Sequence, residues 1–220
     1  MAEMTPMMQQ YLQIKEKNKD CILFFRLGDF YEMFFDDAVL VSKELELTLT
    51  GRDCGQKERA PMCGVPFHSY ESYVARLVAR GYKVAICEQT EDPAQAKGLV
   101  KRDIIRILTP GTVIEGSMLD ESRNNYLAVI YATQNHTEYG LCFCDCSTGE
   151  IHLTQLAGED LSLRVSNELG RFSPSEILVN RAAAQDSSLR EFVDKRLNGH
   201  IEVRSDDEFA LHTAQELLLR

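Results

Sequence analysis

An aromatic residue and an acid share one side of a predicted strand near the N-terminus. The apolar stretch 21–26 predicts a buried strand, and residues 27–29 predict a turn that leads into a second strand, 30–35. Side chains alternate along a strand, so Phe30 and Glu32 point to the same side. Because an unpaired buried carboxylate is costly, we expect this side to meet solvent or a ligand.

Such a pair has the chemistry to read how easily DNA deforms. An apolar wedge that enters a base step from the minor groove unstacks it and kinks the duplex, and unstacking costs least at a mismatched pair. A nearby acid accepts a hydrogen bond from the displaced base, while its charge repels phosphates and weakens binding to ordinary duplex. The alternative is that Phe30 packs in a core and Glu32 is a solvated charge, the commoner outcome for an isolated Phe-Tyr-Glu sequence.

Two other groups of residues are candidates for metal chemistry. Cys142, Cys144 and Cys146 alternate along a predicted strand, where neighbouring sulfurs lie about 6.5 Å apart. One zinc ion cannot bridge that distance, so we expect small buried hydrophobic residues and no metal site. Asp145 suggests a metal-dependent nuclease of the ribonuclease H type, but such a site needs several converging carboxylates, and only Glu150 lies close to it in sequence.

Composition limits the class of protein. The chain has 220 residues and a net charge of −10, and neither a long apolar run nor a signal peptide is present, so no membrane association is expected. Its seven cysteines, an odd number, indicate reduced thiols and a cytoplasmic protein. The acidic balance also leaves open an acidic protein-interaction module, a third function class beside DNA recognition and nuclease activity.

The charge is unevenly distributed along the chain. Residues 1–110 carry 15 Lys/Arg and 16 Asp/Glu, a net of −1, whereas residues 111–220 carry 9 and 18, a net of −9. We therefore predict an N-terminal domain at 1–110, a linker at 111–124 and a second domain at 125–220, truncated at its C-terminus. Only the first domain is close enough to neutrality to approach a phosphate backbone.

The pattern of elements predicts an α/β protein with two domains. The first has a mixed-sheet α/β arrangement, in which Asp36 or Asp37 caps a helix that ends near Leu45. In the second, three hairpin-linked strands are followed by alternating helices and strands, among them a helix at 186–196. This order resembles a ribonuclease H-like α/β layout.

Several motifs in a fixed order resemble the MutS family of bacterial DNA mismatch repair proteins. They cover roughly residues 5–125, and several blocks in order are far more specific than one. The blocks are Gly28-Asp29-Phe30-Tyr31-Glu32, Ala60-Pro61-Met62-Cys63-Gly64-Val65-Pro66-Phe67-His68, Val84-Ala85-Ile86-Cys87-Glu88-Gln89, Asp92-Pro93, and Arg106-Ile107-Leu108-Thr109-Pro110-Gly111-Thr112.

The resemblance implies a role for each candidate residue. Phe30 would be the wedge that stacks at the mispaired base, and Glu32 its hydrogen-bonding partner. Arg52 and Arg102 fall in segments that resemble the family's DNA-facing loops, so they are the favoured phosphate contacts.

The resemblance also implies partners and cofactors. The expected partners are double-stranded DNA with mismatches or small insertion/deletion loops, a MutL-type protein that the second (connector) domain helps to recruit, and a second copy in a full-length homodimer. The sequence has no Gly-x-x-x-x-Gly-Lys-Ser/Thr loop, so we expect no enzymatic activity and no cofactor in this chain. ATP and Mg²⁺ would belong to the full-length protein.

Overall fold

The structure, a computed structural model, describes residues 4–91, 98–197 and 199–219. The chain divides into two units, Met1–Thr109 and Pro110–Arg220. The Asp92-Pro93 motif lies outside the described residues. Within the described ranges, every helix is too short or too polar to cross a membrane.

The first unit is built around a six-stranded sheet. Its elements are α1 (Pro6–Lys17), β1 (Cys21–Leu27), β2 (Phe30–Phe34), α2 (Phe35–Leu45), β3 (Thr50–Arg52), β4 (Ala60–Pro66), a 3₁₀ turn (Phe67–Ser69), α3 (Tyr70–Val78), β5 (Lys83–Gln89) and β6 (Arg102–Leu108). The strand order is β3-β4-β2-β1-β5-β6. Only β1 and β5 pair in parallel among these strands, so the sheet is mixed, as predicted.

Helices cover both faces of this sheet. On one face α1 places Tyr11 edge-on against Phe25 and Phe34, with ring centroids 5.4 and 5.0 Å away. On the other face Tyr31 packs against Tyr70 of α3, with centroids 4.9 Å apart. Residues on the α1 face alternate with residues on the α3 face along β2, so Phe30 and Glu32 belong to the α1 face.

The start of α2 differs from the prediction. Neither Asp36 nor Asp37 is the N-cap; the helix begins at Phe35, directly after β2. Asp37 is instead buried and accepts hydrogen bonds from Lys15 Nζ at 2.9 Å and from the backbone N–H of Leu23 at 3.0 Å. Asp37 therefore ties α1 and β1 to α2, because a buried carboxylate needs such partners.

The second unit is built around a five-stranded sheet. Its elements are a 3₁₀ turn (Gly116–Met118), β7 (Tyr126–Ala132), β8 (Glu138–Asp145), β9 (Glu150–Ala157), α4 (Leu161–Phe172), β10 (Glu176–Val179), α5 (Arg181–Gln185), α6 (Ser187–Phe192), a π-helical turn (Val193–Leu197), β11 (His200–Val203), a 3₁₀ turn (Asp206–Phe209) and α7 (Leu211–Leu218). The strand order is β11-β10-β7-β8-β9. The antiparallel meander β7-β8-β9 with β10 and β11 added in parallel confirms the ribonuclease H-like α/β prediction.

The helix predicted at 186–196 is observed as α6 and the π-helical turn that follows it, and a separate short helix, α5, precedes it. Asp186 ends α5 and begins α6 as its N-cap, with its carboxylate accepting from the N–H groups of Ser188 and Leu189. An aspartate that bonds the backbone two and three residues ahead favours a new helix start over a continuous helix.

The three alternating cysteines lie on the face of the second sheet opposite the core. The core side of β8 carries Leu141 and Phe143, which pack with α4 and α6. Cys142 and Cys144 are therefore only half-buried, and Cys146 is exposed. The expectation that they are buried is wrong, because all the helices that supply core residues cover the other face. Among the described residues, no group of three metal-ligating side chains occurs.

The segment predicted as a linker starts against the second sheet. The backbone N–H of Gly111 donates to the buried carboxylate of Glu176 at 2.9 Å. A Cβ at Gly111 would lie 3.0 Å from Leu127 and from Glu176. Gly111 is thus packed against this sheet, and only glycine leaves enough room there.

Candidate nucleic-acid interface

Phe30 stands at the exposed end of β2. The preceding turn uses Gly28 at φ 56°, and Phe30 is paired with Leu27 on β1 and Pro66 on β4. Its side chain is 46% exposed, whereas Tyr31 beside it is buried. The alternative that Phe30 is a core residue is therefore wrong, and the ring is free to contact a ligand.

Arg26 and Phe67 brace the turn that carries Phe30. The Arg26 guanidinium lies 3.7 Å from the centre of the Phe67 ring, and its Nε donates to the carbonyl of Gly28 at 2.6 Å. The N–H of Phe67 donates to the carbonyl of Asp29 at 2.9 Å. Arg26 also pairs with Glu88 at 3.2 Å. Sequence reasoning missed this support, although Phe67 and Glu88 both fall within the motif blocks.

Glu32 is less exposed than expected, and it is paired. Arg52 Nη1 lies 2.5 Å from Glu32 Oε2, and 13% of the Glu32 side chain is exposed against 38% for Arg52. The ion pair spans 20 residues of sequence. The ion pair gives the Glu32 carboxylate a charged hydrogen-bond partner. Glu32 can therefore be mostly covered and still lie at the surface.

Arg102 lies on the same face, more deeply held. Its Nε donates to the carbonyl of Arg26 at 2.8 Å, its Nη1 donates to Gln10 Oε1 at 2.9 Å, and the guanidinium sits 4.9 Å from the centre of the Phe25 ring. Burial lowers the pKa of the Arg102 guanidinium, and the nearby charge of Arg52 adds to that effect.

The sheet register brings the four predicted residues onto one face. Phe25 lies opposite Glu32 in the β1–β2 ladder, and Arg102 stacks on Phe25. Glu32 is bonded to Arg52 on β3. The result places an exposed ring, one acid and two guanidinium groups on the α1 face of the sheet. A ring, an acceptor and two cations are the groups needed to stack on a base, hydrogen-bond it and contact phosphates.

The second unit gives no support to a nuclease site at Asp145. Its carboxylate is 1% exposed and accepts hydrogen bonds from Ser147 Oγ and from the N–H groups of Ser147, Thr148 and Asn125. Burial would raise the pKa of Asp145, but these hydrogen bonds outweigh it and lower the pKa. Glu150 is held by Asn124 and is not aimed at a shared site. Asp145 therefore shapes the β8–β9 turn.

Fold and site together define a two-unit α/β protein with a mixed first sheet and a ribonuclease H-like second sheet. Comparison with family profiles agrees: residues 5–117 match MutS domain I, and residues 125–220 match MutS domain II. The chain belongs to the MutS family.

Several of the relatives that it matches are named DNA mismatch repair protein MutS. The protein of Acetivibrio thermocellus is 57% identical over 95% of this chain, that of Ruminiclostridium cellulolyticum 53% over 99%, and that of Syntrophomonas wolfei 52% over 100%. The matches cover 24%, 25% and 25% of those relatives. The chain thus spans about a quarter of the length of the relatives it matches.

Proposed function

We propose that this chain recognises mismatched DNA as part of a full-length MutS protein in DNA mismatch repair. The observation that carries the proposal is the exposed Phe30 ring on a braced turn, beside the Glu32 carboxylate. Phe30 enters the duplex at the mispaired base and stacks on it, and Glu32 accepts a hydrogen bond from that base. Mismatched pairs and small insertion/deletion loops are selected because they unstack at the least cost.

Phosphate contacts hold the DNA against this face. Arg52 Nη2 and Arg102 Nη2 have no acceptor among the residues that the structure describes. Each guanidinium can therefore keep its protein contacts and donate to a phosphate oxygen as well. This supports the assignment of Arg52 and Arg102 as DNA-binding residues.

The proposal is tested by replacing Phe30 with alanine in the full-length protein that carries this chain. Stacking of a base on an aromatic ring is worth about 1–3 kcal/mol, so mismatch affinity should fall roughly tenfold or more. Homoduplex affinity should barely change, since an intact stack is not opened. The measurement is binding to mismatched and matched duplexes of the same sequence.

The matched control is Val39→Ala, which trims an exposed apolar side chain on α2. It should leave both affinities unchanged. Thermal unfolding completes the test, because Phe30→Ala removes an exposed ring and should hardly shift Tm. A large drop in Tm with an unchanged mismatch-to-homoduplex ratio would show that Phe30 serves the fold and not the DNA.

The second unit is proposed to be a binding element without a catalytic role. Its net charge of −9 suits docking of a protein partner better than contact with DNA. The partner we propose is a MutL-type protein, recruited in the cytoplasm by a MutS homodimer. ATP and Mg²⁺ would act in the part of the full-length protein that this chain does not contain.

Competition tests this partner assignment. Excess free chain should displace full-length MutS from an immobilised MutL-type protein, and Phe30→Ala in the competitor should make no difference. If the free chain did not compete, the proposal that a MutL-type protein binds the second unit would be wrong.

A further inference from the structure

We propose that Arg52 is a positioning residue, which fixes the Glu32 carboxylate in the orientation from which it accepts a hydrogen bond from the base. The inference rests on the function proposed above, because it adds a part to the same site. It gives Arg52 a second role besides any phosphate contact.

The Glu32 side chain reaches Arg52 by passing over β4. Glu32 on β2 lies opposite Gly64 on β4, whereas Arg52 on β3 lies opposite Ala60 of the same strand. The ion pair therefore crosses β4. A Cβ at Gly64 would lie 3.4 Å from Glu32 Cγ and 3.2 Å from the carbonyl oxygen of Tyr31. The glycine leaves the space over β4 in which the carboxylate reaches Arg52.

The two carboxylate oxygens of Glu32 have different partners. Oε2 accepts from Arg52 Nη1 at 2.5 Å. No donor within the described ranges reaches Oε1, which is left to accept a hydrogen bond from outside the protein. One fixed oxygen sets the direction of the other, so binding does not have to order the side chain.

The ion pair also changes the charge that a duplex meets at this site. A bare glutamate beside an apolar wedge repels the phosphates of every duplex, mismatched or not. With Arg52 on one oxygen, this repulsion is reduced but not removed, while the other oxygen remains an acceptor. Arg52 is also the more exposed partner and lies on a three-residue edge strand, so it can bond a phosphate through its remaining nitrogens without leaving Glu32.

A double-mutant cycle in the full-length protein separates this role from a phosphate contact. The measured quantity is the ratio of mismatch affinity to homoduplex affinity, in which a sequence-independent phosphate contact cancels. Arg52→Gln should lower the ratio about fivefold when Glu32 is present, the usual size of one hydrogen bond. After Glu32→Ala, the same change should alter the ratio by less than about twofold.

Two further variants sharpen the cycle. Arg52→Lys keeps a donor and a charge, and should recover part of the ratio. Arg59→Gln removes an exposed charge next to β4 and should leave the ratio unchanged. Thermal unfolding of each variant checks that the fold is intact.

Every outcome of the cycle supports or opposes the proposal. An equal fall in the ratio with and without Glu32 would mean that Arg52 acts independently, and no fall in either background would mean that it does not position the acid. Phe30→Ala is measured in parallel. If that variant lowers the ratio and Arg52→Gln does not, the inference fails alone; if Phe30→Ala leaves the ratio unchanged, the proposed function itself fails.

Discussion

At the scale of single residues, Glu32 has two opposing effects on DNA binding. Its carboxylate is an acceptor for a displaced base, and it is also a negative charge that approaching phosphates meet. We expect Glu32→Ala in the full-length protein to raise homoduplex affinity severalfold, while mismatch affinity changes less, because a hydrogen bond and a repulsion are lost together. Parallel titrations of matched and mismatched duplex would measure this. Loss of affinity for both duplexes alike would contradict it.

Asp186 makes the stability of the second unit depend on pH. Its carboxylate accepts from Tyr139 Oη at 2.8 Å and from Ser162 Oγ at 3.0 Å, and it caps α6. Burial would raise the pKa of Asp186, but these hydrogen bonds lower it below its usual 3.8. A depressed pKa in the folded state stabilises the fold above the unfolded value, and that stability is lost as pH falls through the folded pKa.

The expected result is a loss of stability as the pH falls below about 3.8 and on through the lower folded pKa. Chemical denaturation at a series of pH values measures it. Asp186→Asn cannot titrate, so its stability should fall less steeply over the same interval. Equal slopes for the two proteins would show that Asp186 does not carry the effect.

Some residues of the candidate site could be predicted from the sequence, whereas the contacts between them could not. Phe30 and Glu32 follow from strand alternation, which needs only neighbours in the chain. The Glu32–Arg52 pair does not follow, since the two residues lie on β2 and β3 with β4 between them. This pair depends on sheet order and register, which the local sequence does not specify. It also depends on Gly64, whose missing side chain leaves room for Glu32. The Arg26–Phe67 contact could not be predicted either, because it too joins residues that are far apart in sequence.

At the scale of elements, strands were easier to predict than helix ends. The predicted strands 21–26 and 30–35 match β1 and β2 within one residue, because apolar and aromatic runs on either side of a turn mark them locally. The predicted start of α2 is wrong because Asp37 does not cap the helix but pairs with Lys15 on another helix. A side chain that often caps a helix can form a tertiary contact in its place, and a local sequence pattern does not predict such contacts.

Gly111 links the start of the second unit to its sheet, and it should not tolerate a side chain. A Cβ there would lie 3.0 Å from both Leu127 and Glu176, so Gly111→Ala forces strands or backbone to shift. Overpacking of this kind typically costs about 1–3 kcal/mol. We expect that loss in the free energy of unfolding, measured by urea denaturation.

The matched control is Gly140→Ala, which adds the same methyl group in β8 where no atom lies within 4 Å. It should leave stability unchanged or slightly raised, because alanine lowers the entropy of the unfolded chain. Equal effects of the two changes would indicate that packing at Gly111 is looser than the distances imply.

At the scale of the whole molecule, the two units differ in charge, which supports the different partners proposed for them. The overall charge of −10 argues against DNA binding, yet residues 1–110 carry only −1 of it. Arg52 and Arg102 place two guanidinium groups on the face that carries Phe30. Arg52 is paired with Glu32, whereas Arg102 is held by carbonyl and amide oxygens. Nucleic-acid affinity depends on such local clusters, since screening confines the influence of distant acids to about 10 Å at 0.1 M salt.

This charge distribution predicts that DNA affinity depends only weakly on salt, and that the dependence comes from individual arginines. Each neutralised phosphate contributes about −0.9 to the slope of log affinity against log salt. Arg52→Gln and Arg102→Gln should therefore each reduce the steepness for the full-length protein by about 0.9, on matched and mismatched duplex alike. Arg196→Gln removes an exposed cation from the second unit and should leave the slope unchanged. If Arg196→Gln flattened the slope as much as Arg102→Gln, the phosphates would be contacted by both units, and the division of partners by charge would be wrong.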